Sequence, residues 1–133
     1  MGIFNSIIGL FAGQSMWYKL NNIEKPDSEQ IVAEIQAPPD SPWFSGHFPG
    51  QPILPGIAQL GMVFDAIRHF GNQDMNITQI SRVRFKQMIR PNDHLHVMVT
   101  PQKGHAGSYT FRIMLDTELA CSGLMKVEIK GEG

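Results

Sequence analysis

From Pro55 onward, Ile57, Leu60, Val63, Phe64 and Ile67 recur at steps of three and four, the period of a helix with one buried face. Pro55 suits the first helical turn, and Gly71 with Asn72 suits the stop. After this helix the period changes to two: "ITQISRVRFKQMIRP", "HLHVMVTP", "SYTFRIMLD" and "ELACSGLMKVEIK" alternate sides, with turns at Pro91-Asn92-Asp93, Gly104 to Gly107 and Asp116-Thr117. "EQIVAEIQA" (Glu29 to Ala37) reads as an earlier strand, closed by the Pro38 to Pro42 loop. One long helix among several half-buried strands leaves few ways to bury both. The expected class is α+β, an antiparallel sheet curled around a central helix.

The chain has 133 residues, 42% hydrophobic and 17% charged, so residues 1–133 are expected to form one domain with a modest core. A net charge of −1 gives no global basic field, which argues against nucleic acid as a partner. The single cysteine, Cys121, cannot form an internal disulfide and fits a reducing compartment, the cytoplasm by default. Residues 1–16 are apolar but interrupted by Gly9 and Gly13, too short and broken to span a bilayer and a poor signal peptide. They read as a short amphipathic helix packed on the body or on a second subunit. Met1-Gly2 followed by Ser6 also matches the loose myristoylation pattern.

The segment before the helix, "FSGHFPGQPILPGI" (Phe44 to Ile57), is a stiff collar around one histidine. Pro49, Pro52 and Pro55 fix φ at three positions and bias the residues before them toward extended geometry. Gly46, Gly50 and Gly56 allow close backbone approach or positive φ on either side of His47. Gly56 falls in the first helical turn, where amides lack internal partners and the dipole is positive, so an oxygen gathering negative charge is stabilised there. A histidine beside such amides suits removal of a proton α to a carbonyl. The competing reading is a turn histidine hydrogen-bonded to backbone.

These residues resemble the β-hydroxyacyl-acyl-carrier-protein dehydratases of fatty acid synthesis, the FabZ and FabA type, whose signature runs H-F-P-G-x-P-x-x-P-G-V. Every fixed position matches, with Ile57 for the usual valine, and "SRVRFKQMIRPND" and "LDTELACSGLMKVEI" resemble the family's later strands. The resemblance spans about Trp43 to Ile129. It implies a hot-dog fold and a homodimer, or an assembly of dimers, with acyl tunnels at the subunit interface. It also implies reversible loss of water from a 3-hydroxyacyl thioester on acyl carrier protein, with no metal or redox cofactor. His47 then corresponds to the catalytic histidine and Gly56 to the glycine whose amide binds the thioester carbonyl, with Ile57 and Gly61 also facing substrate.

One position departs from the family. The acid expected fourteen residues after the histidine is Gly61 here. One turn on lies Asp65, on the same helix face, where the family commonly carries a glutamine. The expectation is that Asp65 of one subunit reaches past Gly61 toward His47 of the other and supplies the acid, its pKa raised in an apolar tunnel. The alternative is an ion pair between Asp65 and Arg68. An acyl thioesterase, which the fold also supports, and a catalytically weak acyl-binding subunit are the other functional classes. Arg82, Arg84, Lys86 and Arg90 stand at even spacings, expected to project as one basic stripe. That stripe is either a solvated face or a docking surface for an acidic carrier protein. His94 and His96 share a strand face without an evident third metal ligand and read as a solvent-facing pair. Eight methionines suit an adaptable tunnel or an ordinary core.

Overall fold

A computed structural model describes residues 17–26, 29–44, 50, 52–71 and 74–129; the expected N-terminal helix and His47 lie outside them. Among the described residues there are six strands: β1 (Lys19–Glu24), β2 (Ile31–Gln36), β3 (Met75–Phe85), β4 (Leu95–Pro101), β5 (Ser108–Leu115) and β6 (Glu118–Ile129). They form one sheet in the order β1-β2-β4-β5-β6-β3, with every neighbouring pair antiparallel. The helix α1 (Gly56–Phe70) packs against β2, β3 and β4. This is the hot-dog arrangement. Among the described residues no helix is long and apolar enough to cross a membrane.

Alternation decides which face of the sheet meets the helix. Ile31, Ala33 and Ile35 of β2 and Leu95, Val97 and Val99 of β4 are buried, while the residues between them are partly or fully exposed. The helix answers with Met62, Val63, Phe64, Ala66 and Ile67, all under 5% exposed. These side chains meet Phe111, Ile113 and Cys121 in one core. Burial also pushes the Cys121 thiol up to about 12, leaving an inert core side chain rather than a reactive one.

Three departures from simple alternation matter. The strand β1, "KLNNIE", is mostly exposed and lies at the sheet edge, so it carries no clear period to announce it. In β6, Ala120 and Cys121 are both fully buried because Ile113 pairs with Cys121 and Met114 with Leu119, which leaves Ala120 as an extra residue. In β3, Ser81 pairs with Leu124 and Arg84 with Ser122, so Arg82 and Val83 together oppose Gly123. Arg82 takes up this bulge with φ of 55°.

The expected strand from Ile77 to Pro91 therefore stops at Phe85. Lys86 and Gln87 donate their amides to the Ala120 carbonyl, and Leu54 donates to Ile89, so the following loop is tied to β6 and to the segment before the helix. At the other end of the sheet, the Trp17 ring packs edge-on against Tyr18 (4.8 Å between centroids) and Trp43 (6.1 Å), closing the sheet over the helix beside β1.

Candidate active site

The start of α1 is set by the chain just before it. Pro55, at φ −64° and ψ 154°, is extended and offers no side-chain cap, and its carbonyl accepts from the amides of Ala58 (3.1 Å) and Gln59 (3.2 Å). Among the described residues, nothing accepts from the amides of Gly56 and Ile57. Two donors thus stand open at the positive end of a fifteen-residue helix, as the sequence anticipates.

Gly56 is also a point of close approach. A Cβ placed on it would lie 2.6 Å from Cζ of Phe85, so the Phe85 ring rests on the glycine. That ring is 52% exposed, and Met88 beside it is 56% exposed. Together with Ile53, Pro55, Gly56 and Gln59 they line a groove of about 330 Å³ that ends at the helix N-terminus. Ile57 is partly buried and packs on the core, and Gly61, further along α1, is buried.

Gln59 is a residue that the sequence reading passed over. It is 4% exposed, donates Nε2 to the Leu54 carbonyl at 3.1 Å, and leaves Oε1 buried with no partner among the described residues. The signal was a single amide side chain within the apolar run "GIAQLGMVF".

Asp65 is half-buried, and its Oδ2 accepts a 2.7 Å hydrogen bond from the hydroxyl of Tyr18 of its own chain. Burial raises the Asp65 pKa above the ordinary carboxylate range, while the Tyr18 bond and the Arg68 charge oppose the rise. The Tyr18 hydroxyl is held protonated, by burial first and then by the carboxylate it faces. The two line a small cavity of about 30 Å³ between α1 and strands β1 and β2, with Leu20, Ile23, Ala33 and His69. None of its lining residues belongs to the groove at Gly56. Arg68 stacks over the Phe64 ring, 5.4 Å from its centroid.

The basic residues do not form the single stripe expected of them. Lys86 and Arg90 lie beyond the end of β3, and the Arg90 amide donates to Asp93 Oδ2 in the turn. The bulge turns Arg82 onto the outer face of the sheet, away from the helix, where it lines a groove of about 350 Å³ with Arg112, Thr100, Thr110 and Ser122. Arg84 pairs with Ser122, which pairs with Arg112, so Arg84 joins that face in the same cross-strand row. Even spacing fails as a guide beyond Phe85, where the strand ends and Lys86 and Arg90 no longer follow its alternation. His94 precedes β4 with Nε2 3.5 Å from Gln36 Nε2, and His96 Nε2 lies 3.9 Å from Glu34 Oε1.

Comparison with known proteins decides the family. The ApeI-like family profile, that of the ApeI dehydratase, matches residues 23–124. The chain belongs to the ApeI-like dehydratase family. The 3-hydroxyacyl-[acyl-carrier-protein] dehydratase FabZ of Oenococcus oeni is 31% identical over 117 residues, covering 81% of this chain and 84% of its own. Among solved structures, the dehydratase heterocomplex ApeI:P from Xenorhabdus doucetiae superposes with a TM-score of 0.75 at 28% identity, covering 84% of this chain and 98% of that one. A thioesterase from Pseudomonas aeruginosa matches with a TM-score of 0.56 over 80% of this chain and 78% of its own, but at 11% identity it shares the fold alone. The ApeI-like match includes the collar, the helix and strands β2 to β5 entire.

Proposed function

We propose that this chain takes part in the reversible dehydration of 3-hydroxyacyl thioesters carried on acyl carrier protein, in fatty acid or related acyl synthesis. The observation that carries this reading is the pair of open amides at Gly56 and Ile57 at the start of the central helix, where Gly56 lines a groove, in a member of a dehydratase family. The thioester oxygen lies on those amides, which stabilise the charge that develops as the C2–H bond breaks. By its place in the collar, His47 is the base that takes the C2 proton. The electron pair forms the C2–C3 double bond, and the 3-hydroxyl leaves as water once a general acid protonates it. The catalytic unit of this reading is a homodimer or an assembly of dimers.

The acid is the open role, since Gly61 has no side chain to give. Asp65 is our candidate: burial favours its neutral form, and four residues along a helix keep it on the face of Gly61. Its Oδ2 is engaged by Tyr18 of its own chain, which leaves Oδ1 for a second contact. Turnover of 3-hydroxyacyl thioesters that falls on the order of 10²-fold in Asp65→Asn, as loss of a general acid does, supports this role. Turnover unchanged in Asp65→Asn but abolished in His47→Ala rejects it.

A second reading rests on Gly61 together with the similarity to ApeI:P, which is a heterocomplex. In it, this chain binds the acyl group and a different chain supplies the acid. Purified alone, such a chain binds 3-hydroxyacyl thioesters without releasing water.

A further inference from the structure

Gln59 is buried, polar and only half satisfied. Its Nε2 is committed to the Leu54 carbonyl, whose own amide is held by Ile89, so the carboxamide cannot turn over without breaking that bond. The orientation leaves Oε1 as a fixed acceptor. An unpaired buried acceptor destabilises a fold by about 1–3 kcal/mol, a cost that a bound donor removes. Helical side chains lean toward the N-terminus and cover the preceding turn, so Gln59 lies over the turn that begins at Gly56. Both residues line the same groove, as does the exposed ring of Phe85.

We propose that Gln59 recognises the 3-hydroxyl group of the substrate, accepting its proton in a hydrogen bond at Oε1. This rests on the dehydration reading above. A 3-hydroxyacyl thioester presents an acceptor, the thioester oxygen, and a donor, the 3-hydroxyl, two carbons away. The chain offers the complement: amide donors at Gly56 and Ile57, and an acceptor one helical turn later. The pantetheine arm also carries amide donors, but it leaves toward solvent, whereas Oε1 is buried in a residue that lines the groove. Bound in this way, the hydroxyl oxygen keeps its lone pairs free for the acid. The enoyl product has no such donor.

The test measures both directions of the reaction in wild type and in Gln59→Met, which keeps the volume and loses the acceptor. The hydroxyl bond is present in both the bound substrate and the transition state, so its loss raises KM for the 3-hydroxyacyl thioester roughly tenfold and leaves kcat unchanged. In the hydration direction KM for the trans-2-enoyl thioester stays the same, and kcat falls by the same factor, because the overall equilibrium constant belongs to the substrates alone. A structural role for Gln59 does not produce that split. Equal rises in both KM values, which assign Oε1 to the pantetheine arm, overturn the proposal, as do unchanged constants.

Should the variant not fold, the wild type answers through the carboxamide carbon of ¹³C-labelled Gln59. Its resonance shifts with a 2,2-dimethyl-3-hydroxyacyl thioester, which has no C2 proton to lose, and not with the saturated analogue. Equal shifts with both reject the proposal. A wild type that turns over neither substrate fails the dehydration reading itself, and the assignment of Gln59 falls with it.

Discussion

Asp65 and Tyr18 make the most consequential pair of side chains in the described residues. Because burial raises the native pKa of Asp65 above its unfolded value of 3.8, the folded state holds the proton more tightly. Below that unfolded value the carboxyl is neutral in both states and nothing is lost. As pH climbs from there through the raised native pKa, the folded state loses stability relative to the unfolded one. Asp65→Asn keeps an acceptor for Tyr18 and removes the titration, so its advantage over wild type should be absent at the acid end and grow across that window. Urea melts of both proteins at a series of pH values measure this, and a constant difference rejects it. Tyr18→Phe should cost about 1–2 kcal/mol by stranding the carboxylate. It should also move the Asp65 titration higher still, because the lost hydrogen bond was lowering it. At Gly56, alanine would drive a methyl into the Phe85 ring, 2.6 Å away. The same change in a Phe85→Ala background should be neutral or slightly stabilising, since alanine is the better helix former. The double-mutant cycle should show a coupling of about 1 kcal/mol in thermal melts.

Among the elements, α1 and strands β4 to β6 were legible because their apolar residues repeat with the period of the structure they form. Ile57 to Ile67 step by three and four, and Leu95, Val97 and Val99 step by two. Where a strand lies at an edge with water on most sides, as β1 does, burial imposes no period and there was none to read. Bulges hide for a different reason: nothing in "SRVRF" marks Arg82 as the extra residue, since the partner that it fails to pair with, Gly123, is forty-one positions away. The start of α1 was legible because Pro55 restricts the backbone locally, whereas the unpaired oxygen of Gln59 depends on contacts that only folding creates. The turn into β5 gives an element-level prediction. Gly107 has φ of 80°, and a Cβ there would lie 2.6 Å from the Val127 carbonyl oxygen, a backbone atom that cannot step aside. Gly107→Ala should therefore destabilise the β5–β6 pairing by about 1–3 kcal/mol in chemical denaturation, and an unchanged midpoint contradicts this.

At the scale of the whole molecule, separate places carry separate features: a groove at the helix N-terminus, a carboxyl cavity between α1 and strands β1 and β2, and an arginine-lined face on the outside of the sheet. If that outer face receives an acidic carrier protein, Arg82→Glu with Arg112→Glu should raise KM for carrier-bound substrates several-fold at low salt. The gap should close as salt screens the charges, and small N-acetylcysteamine thioesters should be unaffected. Equal effects on both substrate types would place the arginines elsewhere in the cycle. The aromatic cluster at β1 has an optical consequence. The sequence contains only two tryptophans, and Trp17 and Trp43 stand 6.1 Å apart with Trp17 against Tyr18, the donor to Asp65. The ultraviolet emission excited through indole therefore comes from one small neighbourhood, next to the carboxyl proposed as the acid. A pH dependence of that emission present in wild type and absent in Asp65→Asn would report the proton on Asp65, with no dye attached.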